Sequence, residues 1–171
     1  YRLTGFYLKA IAMLKKISKL DPNNVDVSLK LASLYAQQKL IVDARHQYLN
    51  VAERYIREGQ TRDALQIYQK IADLDPENTA IHIKLAEALL RESEPEAAHE
   101  SFLLAAGELR RQGKENEAIQ VYLRAIRANP KGQAALAALV NLYLQRNEHD
   151  EAIRMLEGLL AEQVNEAETL T

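Results

Sequence analysis

Covalent chemistry needs nucleophiles, bases or metal ligands gathered at one place, and the residue types that could supply them stand apart in this chain. The histidines are His46, His82, His99 and His149. None has a second histidine four residues away with an acidic partner, the spacing by which a helix presents a zinc site. They are expected at the surface or in interfaces between helices. The acidic pairs Glu94/Glu96 and Asp150/Glu151 stand where helices should start, and negative charge is favoured there by the helix dipole. They need no acid–base role. Cysteine is absent, which excludes a disulfide framework and thiolate metal sites. There is no nucleophile elbow, no phosphate-cradling glycine loop and no Gly-x-Gly-x-x-Gly motif. No catalytic residue, metal or cofactor is expected.

The totals narrow the field further. Hydrophobic residues make up 47% of the chain, which fits a folded protein with a real core and argues against disorder. The formal net charge is −2, so there is no global attraction to nucleic acid or to an anionic membrane, and neither is expected as a partner. No apolar run approaches the length of a membrane span, so no membrane insertion is expected. The cytoplasm is the expected compartment. What remains for polar side chains to do is noncovalent recognition, and the elements that position them come from a repeat.

Landmarks recur every 54 residues: Pro22, Pro76 and Pro130; Gly5, Gly59 and Gly113; Ala10, Ala64 and Ala118. A period in this range means an array of helices. The pattern predicts helices over 6–20, 25–38, 42–58, 62–74, 79–91, 95–112, 115–128, 133–145 and 150–162. Every stretch carries apolar residues at the spacing of one helix face, as Ala44, Tyr48, Val51, Ala52 and Tyr55 do. The Asp-Pro and Asn-Pro dipeptides stop helices, Asn24 can cap the next one, and Thr61 is expected to cap another. Gly5 and Gly59 are expected to close helices in the left-handed conformation. Pro95 marks a helix start, since proline is tolerated in a first turn. Gly107, inside a long helix, is expected to allow close packing or a bend. Short connections make sequential helices antiparallel neighbours. The domain is expected to span 1–164, followed by a frayed tail over 165–171. Residues 1–20 align with the last part of the repeat and the chain starts at Tyr1, so it is read as a piece of a longer protein.

These residues resemble the tetratricopeptide repeat, a helix pair of about 34 residues with a W-x2-L-G-x2-Y…A-x3-F…P pattern. Leu31-Ala32-x2-Tyr35 precedes Ala44-x3-Tyr48, Leu85-Ala86-x2-Leu89 precedes Ala98-x3-Phe102, and Leu139-Val140-x2-Tyr143 precedes Ala152-x3-Leu156. An overlapping set runs from Tyr48 to Pro76 and from Phe102 to Pro130. The tryptophan slot is degenerate, holding Ser28, His82 and Leu136. The longer period and the overlap leave two readings: the long helix serves two helix pairs at once, or the overlap is only apparent and that helix bends the array. Ala44, Ala64, Ala98, Ala118 and Ala152 are expected where helices cross closely.

The resemblance implies an all-α fold, a right-handed α-α superhelix, and a non-enzymatic scaffold that binds a protein or peptide in a concave groove. The polar residues of the first helices of each pair become the groove candidates. They are Lys30, Ser33 and Gln37; Lys84, Glu87 and Arg91; Asn141 and Gln145; and, from the overlapping frame, Asn50, Glu53 and Arg57. Ser33 stands where related carboxylate clamps carry asparagine, so that clamp is not expected. Two other readings start from the chain's ends. Residues 1–20 hold Arg2, Lys9, Lys15, Lys16 and Lys19 and no acid, whereas 147–171 hold seven acids and only Arg154 as a fixed cation. Ends of opposite charge could make a homo-oligomer, a structural array joined head to tail, or could be joined to the continuation of the solenoid in the parent protein. Alternatively the array is the regulatory domain of a larger multidomain protein. Ile153, Met155, Leu156, Leu159, Leu160 and Val164 give the last helix much apolar surface, where arrays normally end in a polar cap.

Overall fold

A computed structural model describes residues 2–169. Tyr1, and Leu170 and Thr171 at the end of the expected tail, lie outside the described residues. Every element among the described residues is an α-helix. The chain forms two compact units, one ending at Glu92 and one starting at Ser93.

The first unit holds α1 (Arg2–Leu20), α2 (Val25–Gln37), α3 (Ile41–Arg57), α4 (Thr61–Leu74) and α5 (Thr79–Arg91). Each helix packs on the next, and α3 lies against both α2 and α4. Connections of three or four residues leave the chain no option but to reverse. The core is one apolar stripe per helix. Tyr48, Val51 and Ala52 of α3 pack with Ala64, Ile67, Tyr68 and Ile71 of α4 and with Ile81, Leu85 and Ala88 of α5. Val27, Leu31 and Tyr35 of α2 pack with Ile11 of α1 and Ala44 of α3. The second unit holds α6 (Pro95–Arg111), α7 (Glu115–Ala128), α8 (Ala134–Gln145) and α9 (His149–Thr169), again packed in sequence, with α6 also touching α8. Pro95 occupies the first turn of α6, as expected.

The turns repeat with the helices. Gly59 and Gly113 adopt left-handed backbone, φ 76° and 77°, and the amide after each donates back into the preceding helix, Gln60 to the Tyr55 carbonyl and Lys114 to the Leu109 carbonyl. Lys39, Ser93 and Asn147, again 54 apart, are left-handed as well. Asn24 and Asn78 cap α2 and α5: their Oδ1 atoms accept from the amides of Val27 and Ile81 at 3.1 and 3.2 Å. Their Nδ2 groups donate to Asp21 and Asp75, which fixes the Asp-Pro turn.

Several expectations need correction. α1 runs straight through Gly5, so that glycine caps nothing. Thr61 is the first residue of α4 and Gln60 holds the cap position without a side-chain bond. Close packing does not explain Gly107, which is exposed and where a Cβ would meet nothing within 4 Å. Over 165–169 the expected frayed tail is instead a continuation of α9. Of the two places expected for the histidines, His82 and His99 take the interfacial one: both are buried, with His82 Nε2 2.7 Å from Pro76 O and His99 Nδ1 of α6 2.9 Å from Ala125 O of α7.

His99 and Gly132 are the second unit's answer to a joint that the first unit builds differently. Arg45 of α3 pairs with Asp75 at the end of α4, and Asn78 caps the helix beyond. One repeat later these places hold His99, Asn129 and Gly132. The buried His99 ring fills the space that the asparagine side chain would take, and a Cβ on Gly132 would fall 2.9 Å from its Cε1 and Nε2. Close packing shows equally in Ala44, Ala64, Ala98 and Ala118, all fully buried, with Ala152 nearly so.

Ala64→Leu or Ala118→Leu should overpack a crossing and cost about 1–3 kcal/mol; melting temperatures unchanged by both would contradict the assignment. Gly107→Ala should stabilise by about 0.5–1 kcal/mol, because alanine loses less backbone entropy in a helix. Gly132→Ala should instead cost about 1–3 kcal/mol, since the hydrogen-bonded His99 ring cannot simply swing away. Denaturant midpoints compared across the two glycine variants read the opposite signs directly.

Candidate functional site

The polar stripe of α3 is Asn50, Glu53, Arg54 and Arg57, and that of α5 is Lys84, Glu87 and Arg91. Steps of three and four residues keep each set on one helix face. Both helices pack with α4 in one core, and this brings the two stripes to face each other across Tyr68. Glu53, Ile56 and Arg57 form one wall of an open cleft of ≈ 310 Å³; Lys84, Glu87, Ala88 and Arg91 form the other. Lys84 Nζ stands 3.4 Å from Glu53 Oε1, a link between the walls. Both partners keep about two-fifths of their side chains or more in solvent, 40% and 46%, so the pair is screened and exchangeable.

A second open cleft lies on the other side of α3, of ≈ 200 Å³, lined by Pro22, Asn23, Val25 and Ser28 opposite Asn50, Val51, Arg54 and Arg57. Glu53 and Arg57 line both. Arg54 is built into its wall: its Nε donates to Glu58 Oε1 at 2.8 Å and its guanidinium also donates to the Asn23 carbonyl. Together the clefts carry four cations (Arg54, Arg57, Lys84, Arg91) and two carboxylates (Glu53, Glu87), a local excess of positive charge in a chain that is net negative.

The structure thus brings together Asn50, Glu53, Arg57, Lys84, Glu87 and Arg91 of the sequence candidates. Lys30, Ser33 and Gln37 are exposed on α2 and line neither cleft; the α2 residues that do are Val25, at its first position, and Ser28, two positions from Lys30 and so on another side of the helix. The repeat explains this. Lys30 is the counterpart of Lys84, which faces the second helix before its own, and no described helix fills that place for α2. Asn141 and Gln145 lie in the second unit on α8, both exposed, and Gln145 Oε1 accepts from Arg110 Nη2 of α6 at 2.8 Å. The second unit has Gly107 where the first has Glu53 and Ala138 where it has Lys84, so the linking pair has no counterpart there.

In the sequence, Tyr68 is legible only as a core aromatic. Its signal is the hydroxyl kept in a slot where phenylalanine also serves, as Phe102 shows in the other frame. Burial raises its pKa above the usual 10.0, the negative charges of Glu53 and Glu87 raise it further, and Arg91 pulls the other way. Burial also raises Tyr48 and Tyr143. For a pKa raised by folding, the stabilisation is complete below the unfolded value and is lost as pH rises through the folded value. Helix content should therefore hold from neutral pH to about 10 and fall above it. Tyr68→Phe should move that fall to higher pH, read by circular dichroism beside the phenolate absorbance. Phenols that all ionise at the ordinary value with the helices intact would contradict this.

Among the described residues no helix is long and apolar enough to cross a membrane. A family model described as tetratricopeptide repeat matches residues 55–107 and 109–170, and a second with the same description matches 4–55. None of the curated proteins matches the chain. Among solved structures, the crystal structure of MamA is 23% identical, with 98% of this chain and 94% of that one covered and a TM-score of 0.31. A thermophilic tetratricopeptide repeat protein of Thermus thermophilus is 16% identical over 84% of this chain and 93% of that one, with a TM-score of 0.33. The first such domain of Spaghetti, bound to an HSP90 peptide, is 18% identical over 60% of this chain and 93% of that one, also with a TM-score of 0.33.

Proposed function

The chain belongs to the tetratricopeptide repeat family, and on that footing we propose that it is a non-enzymatic scaffold whose first unit holds an extended, acidic segment of a partner protein in the cleft between α3 and α5. The observation that carries the reading is the Lys84–Glu53 link above Tyr68. A partly exposed ion pair is worth no more than about 1 kcal/mol, so a ligand carboxylate can take Lys84 from Glu53 at small cost. Arg57 and Arg91 then offer planar guanidinium forks on the two walls, suited to paired hydrogen bonds with carboxylates. Ile56 and Ala88 supply an apolar floor beside the tyrosine ring for one side chain of the segment. The cleft is open, charged and at the small end for a drug-sized ligand, which favours a chain laid along it over an enclosed metabolite. The walls are helices held by a packed core, so little order has to be acquired on binding, and that preorganisation supplies affinity.

The test is a selection of random peptides on the intact chain, followed by affinity measurements on variants. Selected peptides should be rich in Asp and Glu. Arg57→Glu with Arg91→Glu should weaken them at least about tenfold, roughly 1.4 kcal/mol or more, and Lys84→Glu should also weaken them. Lys30→Glu, on the stripe of α2 outside both clefts, should leave affinity nearly unchanged. Peptides that bind equally well to all three variants would sink the proposal.

A further inference from the structure

The cleft on the α2 side of α3 is opened by one residue. Ser28 and His82 hold the same place in successive repeats, four positions after Asn24 and Asn78, which cap α2 and α5 with the same bond at 3.1 and 3.2 Å. His82 is 7% exposed, and its ring lies against the Asp-Pro turn, with Nε2 2.7 Å from the Pro76 carbonyl oxygen. A carbonyl only accepts, so Nε2 carries the proton and donates. In α2 the serine puts no ring in that place. What stands there instead is the cleft of ≈ 200 Å³, whose lining includes Ser28 and Pro22, the counterparts of His82 and Pro76. The opening therefore follows from a residue difference inside the repeat, and its lining belongs to α2, α3 and the connection before α2.

We infer that this cleft takes a histidine side chain of the bound partner segment, which does there what His82 does within the chain. The inference rests on the reading of the cleft between α3 and α5 as a segment site, and it adds a second recognised position to that segment. Glu53 and Arg57 line both clefts, so a chain laid over α3 passes from one to the other. The entering ring donates one N–H to the Pro22 carbonyl, as His82 donates to that of Pro76. Its other nitrogen accepts. In His82 that nitrogen, Nδ1, is buried with no hydrogen-bond partner among the described residues, a polar atom left unsatisfied. The cleft is better supplied. Arg54 and Arg57 line it, and a guanidinium carries five N–H donors, more than the bonds of Arg54 to Glu58 and to the Asn23 carbonyl consume. Phenylalanine in the same place would cover the Pro22 carbonyl without pairing it. Lysine or arginine could donate to it but would meet the like charges of Arg54 and Arg57.

The experiment runs the random-peptide selection on the intact chain and on Ser28→His, which supplies the ring from the chain itself. Peptides from the intact chain should carry a histidine at a fixed distance from their acidic residues. Peptides from Ser28→His should keep the acids and lose the histidine. Changing that histidine to alanine in one selected peptide should weaken binding at least about tenfold to the intact chain and less than about twofold to the variant. Ser28→Leu copies the third repeat, where Leu136 stands, and should lose the histidine in the same way; helix melting followed by circular dichroism shows that each variant is folded. Acidic peptides with no recurring histidine, still weakened by Arg91→Glu outside this cleft, overturn the inference and leave the segment reading standing. A histidine retained by both folded variants overturns it as well. Histidine-bearing peptides without acids, lost when the cleft is filled, uphold the ring site and sink the acidic reading. No peptide selected by the intact chain sinks both.

Discussion

Close approach at small residues is the constraint on which the rest depends. Ala44, Ala64, Ala98 and Ala118 leave no side chain to hold helices apart, so backbones can come near and the flanking aromatics can interdigitate. Hydrophobic burial drives the collapse, but it is not directional. The alanines turn it into one set of helix separations, and within the units the left-handed residues at 39, 59, 113 and 147 make the reversals that let successive helices reach those separations. Large apolar residues at the same places would bury as much surface and build a different array.

The cleft is a consequence of that spacing. α3 and α5 share a core with α4, so their outward stripes end up a lysine's reach apart, with Tyr68 beneath. Nothing in the cleft is a reactive group. Its features are fixed charge, an exchangeable ion pair and a small apolar floor. The second unit keeps the packing and drops the charge pair, with Gly107 and Ala138 in the places of Glu53 and Lys84. Packing positions and surface charge positions therefore vary independently in this array.

Most of the fold was legible because helix period, proline stops and crossing alanines are local or strictly repeated signals. Asn24 and Pro95 behaved as their chemistry requires. The failures share a cause. Gly5 and Gly59 occupy the same repeat position, but only the second stands at a helix end, and a residue type does not announce how far the helix extends. His99 is an isolated histidine in sequence; its burial depends on Gly132, thirty-three positions away, having no side chain. Lys30 and Lys84 look equivalent, yet among the described residues only Lys84 faces another helix across a cleft. Each miss concerns what stands across from a residue, which repeat position alone does not encode.

The account turns on whether recognition occurs in the cleft over Tyr68. The direct measurement is a map of backbone amide chemical shifts on the isotope-labelled chain as an acidic peptide selected for binding is titrated in. The account predicts that the largest changes centre on Ile56, Arg57, Tyr68, Lys84 and Ala88, with α2 residues around Lys30 and Ser33 little affected. Changes centred in the second unit, or on the outward stripe of α2, would place recognition elsewhere and contradict it.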